Sequence, residues 1–450
     1  MPTDLGARTC RPFSAAMGVL LLLVGGITKA QPAPRVVTLE EALSTAHKLQ
    51  PQLRQAQAAT AGAQAVADEA RSALFPQASV NLNYERTTAN FTSRPGALPP
   101  GSTGSSTGSS TSWKTFDFFS GSAGVNQLIW DFNQTSGRWR AAQSQVEAQR
   151  ENERATMLQV ALQVRSTYFA ARADKALMEV ARETLQNLKK HLVQTEGFVA
   201  AGTAPEIDLA QARANLATGR SQLVAATNAY LTAKAQLNQA VGWNLGLDYE
   251  VADHAQGSVE GEDASIEELV KVALASRPEL ASLQRQVESQ LLTARALKGA
   301  YAPTLAGSLS ITPSGPAIDS QTWNAAAGIS LSWPIFQGGL TRAQVRQAEA
   351  SAAQLSAQLD VERLQVRLDL EQARLAISAA KALLDAQRDA VVNAREQLRL
   401  AEGRYETGVG SGIEISDAQV ALTNAEAQLI QADGQLSTAR SQLIHALGRW

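Results

Sequence analysis

Between residues 366 and 447, apolar and small side chains return in alternating steps of four and three. Upstream of a glycine-rich reversal at 407–412 the series is Val366, Leu370, Ala373, Ile377, Ala380, Leu384, Val391, Ala394, Leu398, Ala401 and Tyr405, with a polar gap at Gln387. Downstream, Leu422, Ala425, Leu429, Ala432, Leu436, Ala439, Leu443 and Leu447 keep the same beat. A period of ~3.5 residues is the seam of a left-handed coiled coil. The pattern predicts two helices, 339–407 and 413–447, folded back on one another. Small residues in the seam imply a close approach. No proline follows Pro334, so nothing interrupts the first helix. At ~1.5 Å per residue it is about 100 Å long, a span rather than a globular helix.

Other stretches alternate with period two. Val80, Leu82 and Tyr84 oppose Ser79, Asn81, Asn83 and Glu85, which predicts a strand at 78–86 with one apolar and one polar face. A second strand, 116–130, alternates more weakly. Leu305, Gly307, Leu309 and Ile311 oppose Ala306, Ser308, Ser310 and Thr312 in a strand at 304–312. In the strand at 323–335, Trp323, Ala325, Ala327, Ile329, Leu331 and Trp333 oppose Asn324, Ala326, Gly328, Ser330 and Ser332. Tryptophans bracketing an apolar face of about ten residues mark a transmembrane β-strand with interfacial aromatics. Trp130 and Phe116, Phe118, Phe119, Phe132 and Phe336 crowd the same zones. The plainer reading is an ordinary half-buried sheet.

These elements belong to a plan that occurs twice. Thr38 to Leu43 matches Ser265 to Val270, Pro51 matches Pro278 and Pro76 matches Pro303, each 227 apart. Further on the offset is 206: Gly202 with Gly408, Leu216 with Leu422, Leu223 with Leu429, Gly242 with Gly448. The 21-residue difference falls in a loop rich in Ser and Gly after the first strand. A tandem duplication follows. One repeat covers 31–241, with long helices at 133–200 and 206–241; a linker at 242–263 precedes the second, 264–450. Four strands cannot close a barrel, and an open edge cannot sit in lipid. Membrane barrels start at about eight strands, so chains must share one wall; two or three copies both satisfy this.

Composition narrows the function. Of 450 residues 18% are charged and the net charge is −2, which leaves no electrostatic footprint for nucleic acid. Arg8, Arg11, the apolar run 17–27 and Thr28-Lys29-Ala30 predict a signal peptide over 1–30. Cys10, the one cysteine, precedes that apolar run, so a lipoprotein signal does not fit. His47, His191, His254 and His445 lack metal-ligand spacing and read as solvated or interfacial. No GxSxG, phosphate-cradling loop or HExxH motif is present. Met157 and Met178 beyond the leader give no support for a soft-metal relay. No enzymatic activity, metal or cofactor is expected.

Two repeats of helices, strand pair and long hairpin behind a signal peptide resemble the TolC-like outer-membrane efflux proteins, over essentially the whole mature chain. The most specific matches are 334–339 (PIFQGG), Tyr405 to Gly408 and Glu414 to Gln419; 128–131 and 202–209 are weaker counterparts. The resemblance implies a mainly α fold with a membrane β-barrel. Four strands per chain would enter a 12-stranded trimeric barrel in outer-membrane lipid, continued by a helical α-barrel tunnel into the periplasm. It implies a homotrimeric channel of a tripartite efflux or type I secretion system. A periplasmic adaptor (membrane fusion protein) and an inner-membrane pump of the RND, ABC or MFS type would be its partners.

Carried over by position, Glu414 and Asp417 match the acidic residues lining the family's closed periplasmic mouth. Tyr405 matches the tyrosine of its closing network, and Asp208 the acid which that tyrosine meets. Gly202, Thr203, Gly408, Val409 and Gly410 would be the tips that an adaptor contacts. Gly410 stands where some members carry a locking arginine, and Pro205 is a further departure. Around a shared axis Glu414 and Asp417 would attract cations and raise one another's pKa. The plainer reading has them open a helix at its positive dipole end. The alternative function is a periplasmic adaptor or other coiled-coil interaction protein. Adaptors carry one hairpin between halves of small β domains, not a duplicated plan, and have no lipid-facing strands.

Overall fold

The computed structural model describes residues 35–88, 113–244 and 246–450. The signal-peptide segment 1–30 and most of the Ser/Gly-rich loop lie outside the described residues. In chain order the elements are β1 (Arg35–Val37), α1 (Leu39–Leu49), α2 (Pro51–Ser72), β2 (Gln77–Thr88), β3 (Thr115–Trp130), α3 (Gln134–Ala200), α4 (Glu206–Val241) and β4 (Tyr249–Val251). The second repeat supplies α5 (Ile266–Ser276), α6 (Pro278–Lys298), β5 (Thr304–Gly315), β6 (Thr322–Ser332), α7 (Leu340–Glu406) and α8 (Gly412–Ala446). A short 3-10 turn, Gly299–Tyr301, joins α6 to β5. The duplication is exact in length where it matters: α3 and α7 each run 67 residues. The last predicted strand stops at Ser332 instead of 335, because Pro334 has no amide to donate.

The predicted seam is the core of the second repeat, and Val160, Val164, Tyr168, Phe169 and Leu237 centre that of the first. Every α7 position of the series from Val366 to Ala401 is buried, and on α8 Leu422, Ala425, Ala432, Leu436, Ala439 and Leu443 are buried against it. The long helices lie side by side, α4 on α3 and α7 on α8, while α8 also packs on α3 and α6 wedges between α3 and α7. Gly137 permits the last contact, since a Cβ there would lie 2.8 Å from the Ala296 Cβ.

The caps are duplicated too. Thr38 and Ser265 each accept a hydrogen bond from the amide three residues on, Glu41 and Glu268, and so start α1 and α5. Gln50 Nε2 donates to the carbonyls of Gln239 and Ala240 at the end of α4. Its tandem counterpart Arg277 donates to Ala446 O and to Asp369 Oδ2, both at 3.0 Å. The Arg277 side chain is 5% exposed against 30% for Asp369. Arg277→Leu is therefore expected to cost about 3 kcal/mol, the low end for breaking a buried ion pair, and thermal unfolding followed by circular dichroism checks it.

Two features were not anticipated. The linker at 242–263 is not free of secondary structure, because β4 within it pairs in parallel with β1. The strand-to-helix turn of the second repeat uses Gly338 (φ 58°) and Gly339 (φ 85°), whereas the first repeat holds Phe132 (φ 53°) and Asn133 (φ 65°) in the same left-handed conformation. That conformation is a strained one for a bulky residue such as Phe132. Asp131 supports the turn, its Oδ2 accepting from the Thr135 amide at 2.6 Å.

Candidate functional site

The first region of interest is the antiparallel sheet, ordered β2-β3-β5-β6 with β2 and β6 as open edges. Its registers align Val80 with Ala123, Leu82 with Gly121, Val125 with Leu309, and Leu309 with Ala327. One face is consequently apolar across all four strands, while Ser79, Asn81, Ser122, Ser310 and Asn324 line the other. Leu82, Trp323, Ile329 and Leu331 are each more than 60% exposed, so nothing among the described residues covers the apolar face.

Aromatic residues mark both ends of that face. Trp323, opposite Pro313, lies at the loop end with Tyr84 and Phe119, whose rings are 4.9 Å apart. Beyond them Asp117 accepts from the Tyr84 hydroxyl (2.8 Å) and lies 3.6 Å from Arg86 Nε. Trp130, opposite Leu305, lies at the helix end, and Trp333, just past β6, donates from Nε1 to Tyr301 O at 3.0 Å. Phe116 and Phe118 do not join either girdle. Register places them opposite Thr87 and Glu85, on the polar face, because a strand alternates sides at every residue and only Phe119 has the apolar parity.

The second region is the pair of hairpin tips. Gly202 and Gly408 adopt φ of 73° and 74° and end α3 and α7 in matching Schellman turns. Thr203 N donates to Phe198 O and Val409 N to Arg404 O. Gly202, Thr203, Gly408 and Val409 are exposed. Pro205 fits at the N-cap of α4, where its φ of −75° suits a proline. A Cβ on Gly410 would lie 2.9 Å from the Tyr405 amide nitrogen, so a larger side chain there requires a different turn.

Ser411 caps α8 by accepting from the Glu414 amide. Glu414 occupies the first turn, where the helix dipole favours an acid. Its carboxylate is also paired with Arg404 Nε at 3.1 Å, a residue that sequence reasoning passed over. Asp417 lies one turn deeper on the same exposed face, beyond the reach of the capping argument.

Asp208 and Tyr405 both flank Gly412: a Cβ there would sit 3.8 Å from the Asp208 carboxyl and 4.0 Å from the Tyr405 ring. The Tyr405 hydroxyl is buried with no hydrogen-bond partner among the described residues. Its ring packs edge-on to His191 (6.0 Å) and Phe198 (5.6 Å) of α3, beside a cavity of about 310 Å³ that Asn187, Glu402 and Gln419 help to line. Phe198 is the tandem counterpart of Arg404; the duplication aligns the two, but nothing in the sequence brings the two tips together.

Burial holds the His191 pKa below 6.5, against the opposing pull of Glu402 and Asp208. Above about 6.5 the imidazole is neutral whether packed or solvated. As the pH falls below that value the solvated ring takes its proton first, so acid weakens the packed tip. The tip is expected to loosen progressively below about pH 6.5 and His191→Gln to remove that dependence, as read by protease nicking of 200–204 and 407–411 against pH.

Among the described residues no group of three or more His, Cys, Asp or Glu side chains could hold a metal ion. No described helix is long and apolar enough to cross a membrane.

A family model described as outer membrane efflux protein matches residues 42–243 and 269–449. The chain is 27% identical over 330 residues to the outer membrane efflux protein BepC of Brucella suis biovar 1, covering 72% of this chain and 71% of that one. It is 26% identical to the solvent efflux pump outer membrane protein SrpC of Pseudomonas putida, over 67% of this chain and 64% of SrpC. Among solved structures, the outer-membrane channel OprN superposes with a TM-score of 0.75 at 18% identity, covering 92% of this chain and 90% of that one. The open state of the Neisseria gonorrhoeae MtrE outer membrane channel gives 0.72 at 18% identity, covering 91% and 89%.

Proposed function

The chain belongs to the outer membrane efflux protein family, and we propose from this membership that it is the outer-membrane duct of a tripartite efflux or type I secretion system. The observation that carries the reading is the sheet itself: a face apolar across four strands, closed by aromatics at both ends, above helices of about 100 Å. Such a sheet satisfies its backbone in lipid only inside a closed barrel, so β2 and β6 must pair with other copies. Three copies would give 12 strands.

A second apolar stripe on α7 supports the same assembly. Val361, Leu364, Leu368 and Leu375 step by three, four and seven and are exposed in the single chain. That is the periodicity of a coiled-coil face awaiting a neighbouring helix. In a homotrimer the long helices would form a tunnel through the periplasm, with Glu414 and Asp417 ringing its mouth, and Tyr405 and Asp208 joining the hairpins there. A periplasmic adaptor would grip the tips at Gly202, Thr203, Gly408, Val409 and Gly410, and an inner-membrane pump would supply the energy. The duct itself is passive.

Reconstitution in planar lipid bilayers tests the reading. Discrete, uniform conductance steps are the expected result. A protein that binds bilayers without conducting, or does not bind them, fits the adaptor reading instead.

A further inference from the structure

Charge is spread unevenly along the molecule. The four stretches that join helix to strand, 66–76, 131–141, 293–303 and 333–346, hold seven cations against three acids, Asp68, Glu69 and Asp131. That is a surplus of four positive charges in a chain whose net charge is −2. Asp131 is already engaged by the Thr135 amide. Part of the surplus is duplicated: Arg71 recurs as Lys298, 227 residues on, and Arg140 as Arg346, 206 residues on.

Ion pairing and helix electrostatics explain only part of it. Lys298 pairs with Glu349 at 2.8 Å, but Arg71, Arg140, Arg295, Arg342 and Arg346 are exposed and have no acidic partner among the described residues. Arg71, Arg295 and Lys298 lie in the last turns of α2 and α6, where the helix dipole favours a cation. Arg342 lies in the first turn of α7, where the dipole opposes one. Neither α3 nor α7 has an acid in its first turn to compensate.

The surplus lies on the outer face of the helical wall. Arg140 is four heptads, 28 residues, from Tyr168, whose hydroxyl donates to Ala252 O. Arg346 is five heptads, 35 residues, from Lys381, which pairs with Glu262. Whole heptads return a side chain to the same face of a coiled-coil helix, so both arginines share the face on which the linker lies. Three linkers, each with its β1 and β4, would fill a shared bore, so this face is the outer one.

The same face continues the apolar side of the sheet. That side ends at Trp130 and Trp333, and Phe132, Ile335 and Phe336 follow, exposed, at the turns into α3 and α7. Arg71 lies 5.4 Å from the ring centre of Phe75 and 5.6 Å from that of Trp139, which holds it at this level. Lys298 ends α6, Arg342 is the third residue of α7, and Arg140 and Arg346 are each the seventh of their helices. At ~1.5 Å per residue these three arginines start within about 9 Å of the helix ends. A headgroup layer is about 5–8 Å deep on each side of the hydrocarbon, and long cationic side chains extend toward it.

We propose that Arg71, Arg140, Arg295, Lys298, Arg342 and Arg346 form a collar that docks on anionic phospholipid headgroups of the leaflet facing the periplasm. A guanidinium matches a phosphate in charge and in bidentate geometry, and the aromatics beside the collar sit at headgroup level. The collar fixes the depth of the barrel in the membrane and gives the protein a preference for anionic lipid. This inference rests on the duct reading for the position of the bilayer.

Native mass spectrometry of the detergent-extracted protein tests it, with phosphatidylglycerol and phosphatidylethanolamine added in equal amounts. The wild type is expected to retain several-fold more phosphatidylglycerol. Arg140→Gln/Arg346→Gln is expected at least to halve that preference. Arg220→Gln/Arg374→Gln, which removes two equally exposed cations far from the sheet, is expected to leave it intact. Equal retention of the two lipids by the wild type would overturn the collar and leave the duct standing, whether or not any variant folds. An undiminished preference in Arg140→Gln/Arg346→Gln would overturn it as well. If inorganic phosphate displaces phosphatidylglycerol better than chloride does at equal ionic strength, the collar is a site for the free ion and lipid docking is overturned. Retention of neither lipid by the wild type would count against the duct and the collar together.

Discussion

Leu309→Arg is expected to remove the protein from the outer membrane almost completely, while Ser310→Arg, one residue further along the same strand, leaves it there. Leu309 sits near the middle of β5, aligned with Val125 on one side and Ala327 on the other. It belongs to the face closed at both ends by aromatics. A charge on the lipid side of a barrel strand costs about 2–4 kcal/mol at the midplane. In a three-chain barrel the cost is met three times, on the order of 6–12 kcal/mol, which is comparable with the stability of a whole domain. Ser310 faces Gly124 and Ala326 on the opposite, polar side, where a guanidinium remains in water. Membrane-fraction immunoblots of both variants check the result. Equal loss, or equal retention, would show that the sheet has no lipid side.

The second large effect is on ion selectivity. A single carboxylate about 4 Å from a permeating cation contributes about 1 kcal/mol in a water-filled mouth. Three neutralised carboxylates therefore amount to more than a tenfold change in cation-over-anion permeability. The two acids are not equivalent. Glu414 is offset by Arg404 at 3.1 Å, so Glu414→Gln also frees a guanidinium, whereas Asp417 has an exposed carboxylate one turn deeper on the same face. Asp417→Asn is expected to give the full reduction in reversal potential. Arg404→Ala is expected to increase cation preference, since it releases Glu414. If neither change alters the reversal potential, Glu414 only shapes the start of α8 and neither acid lines the mouth.

Much of the fold was readable before any coordinates. The 3.5-residue seam located α7, α8 and their buried faces, because a coiled coil writes its packing into periodicity alone. The helical patterns at 133–200 and 206–241 located α3 and α4, the duplication aligned them with α7 and α8, and the alternation of β5 and β6 gave their sidedness. The failures share a physical cause. β1 and β4 have three residues each, too few to show a period, and they pair across more than 200 positions. The aromatics of β3 were read by proximity, and only register shows that Phe116 and Phe118 take the polar face. Phe132 and Asn133 adopt a glycine-like turn without glycine. At the tip, Arg404 and Phe198 escaped notice, and His191 was read only as solvated or interfacial, because their roles depend on how two separate hairpins approach.

The most direct test of the central claim is the native mass of the detergent-extracted protein from density-separated membranes. The account predicts a trimer in the outer-membrane fraction. A monomer in the soluble periplasmic fraction, or a species sedimenting with the inner membrane, would contradict it.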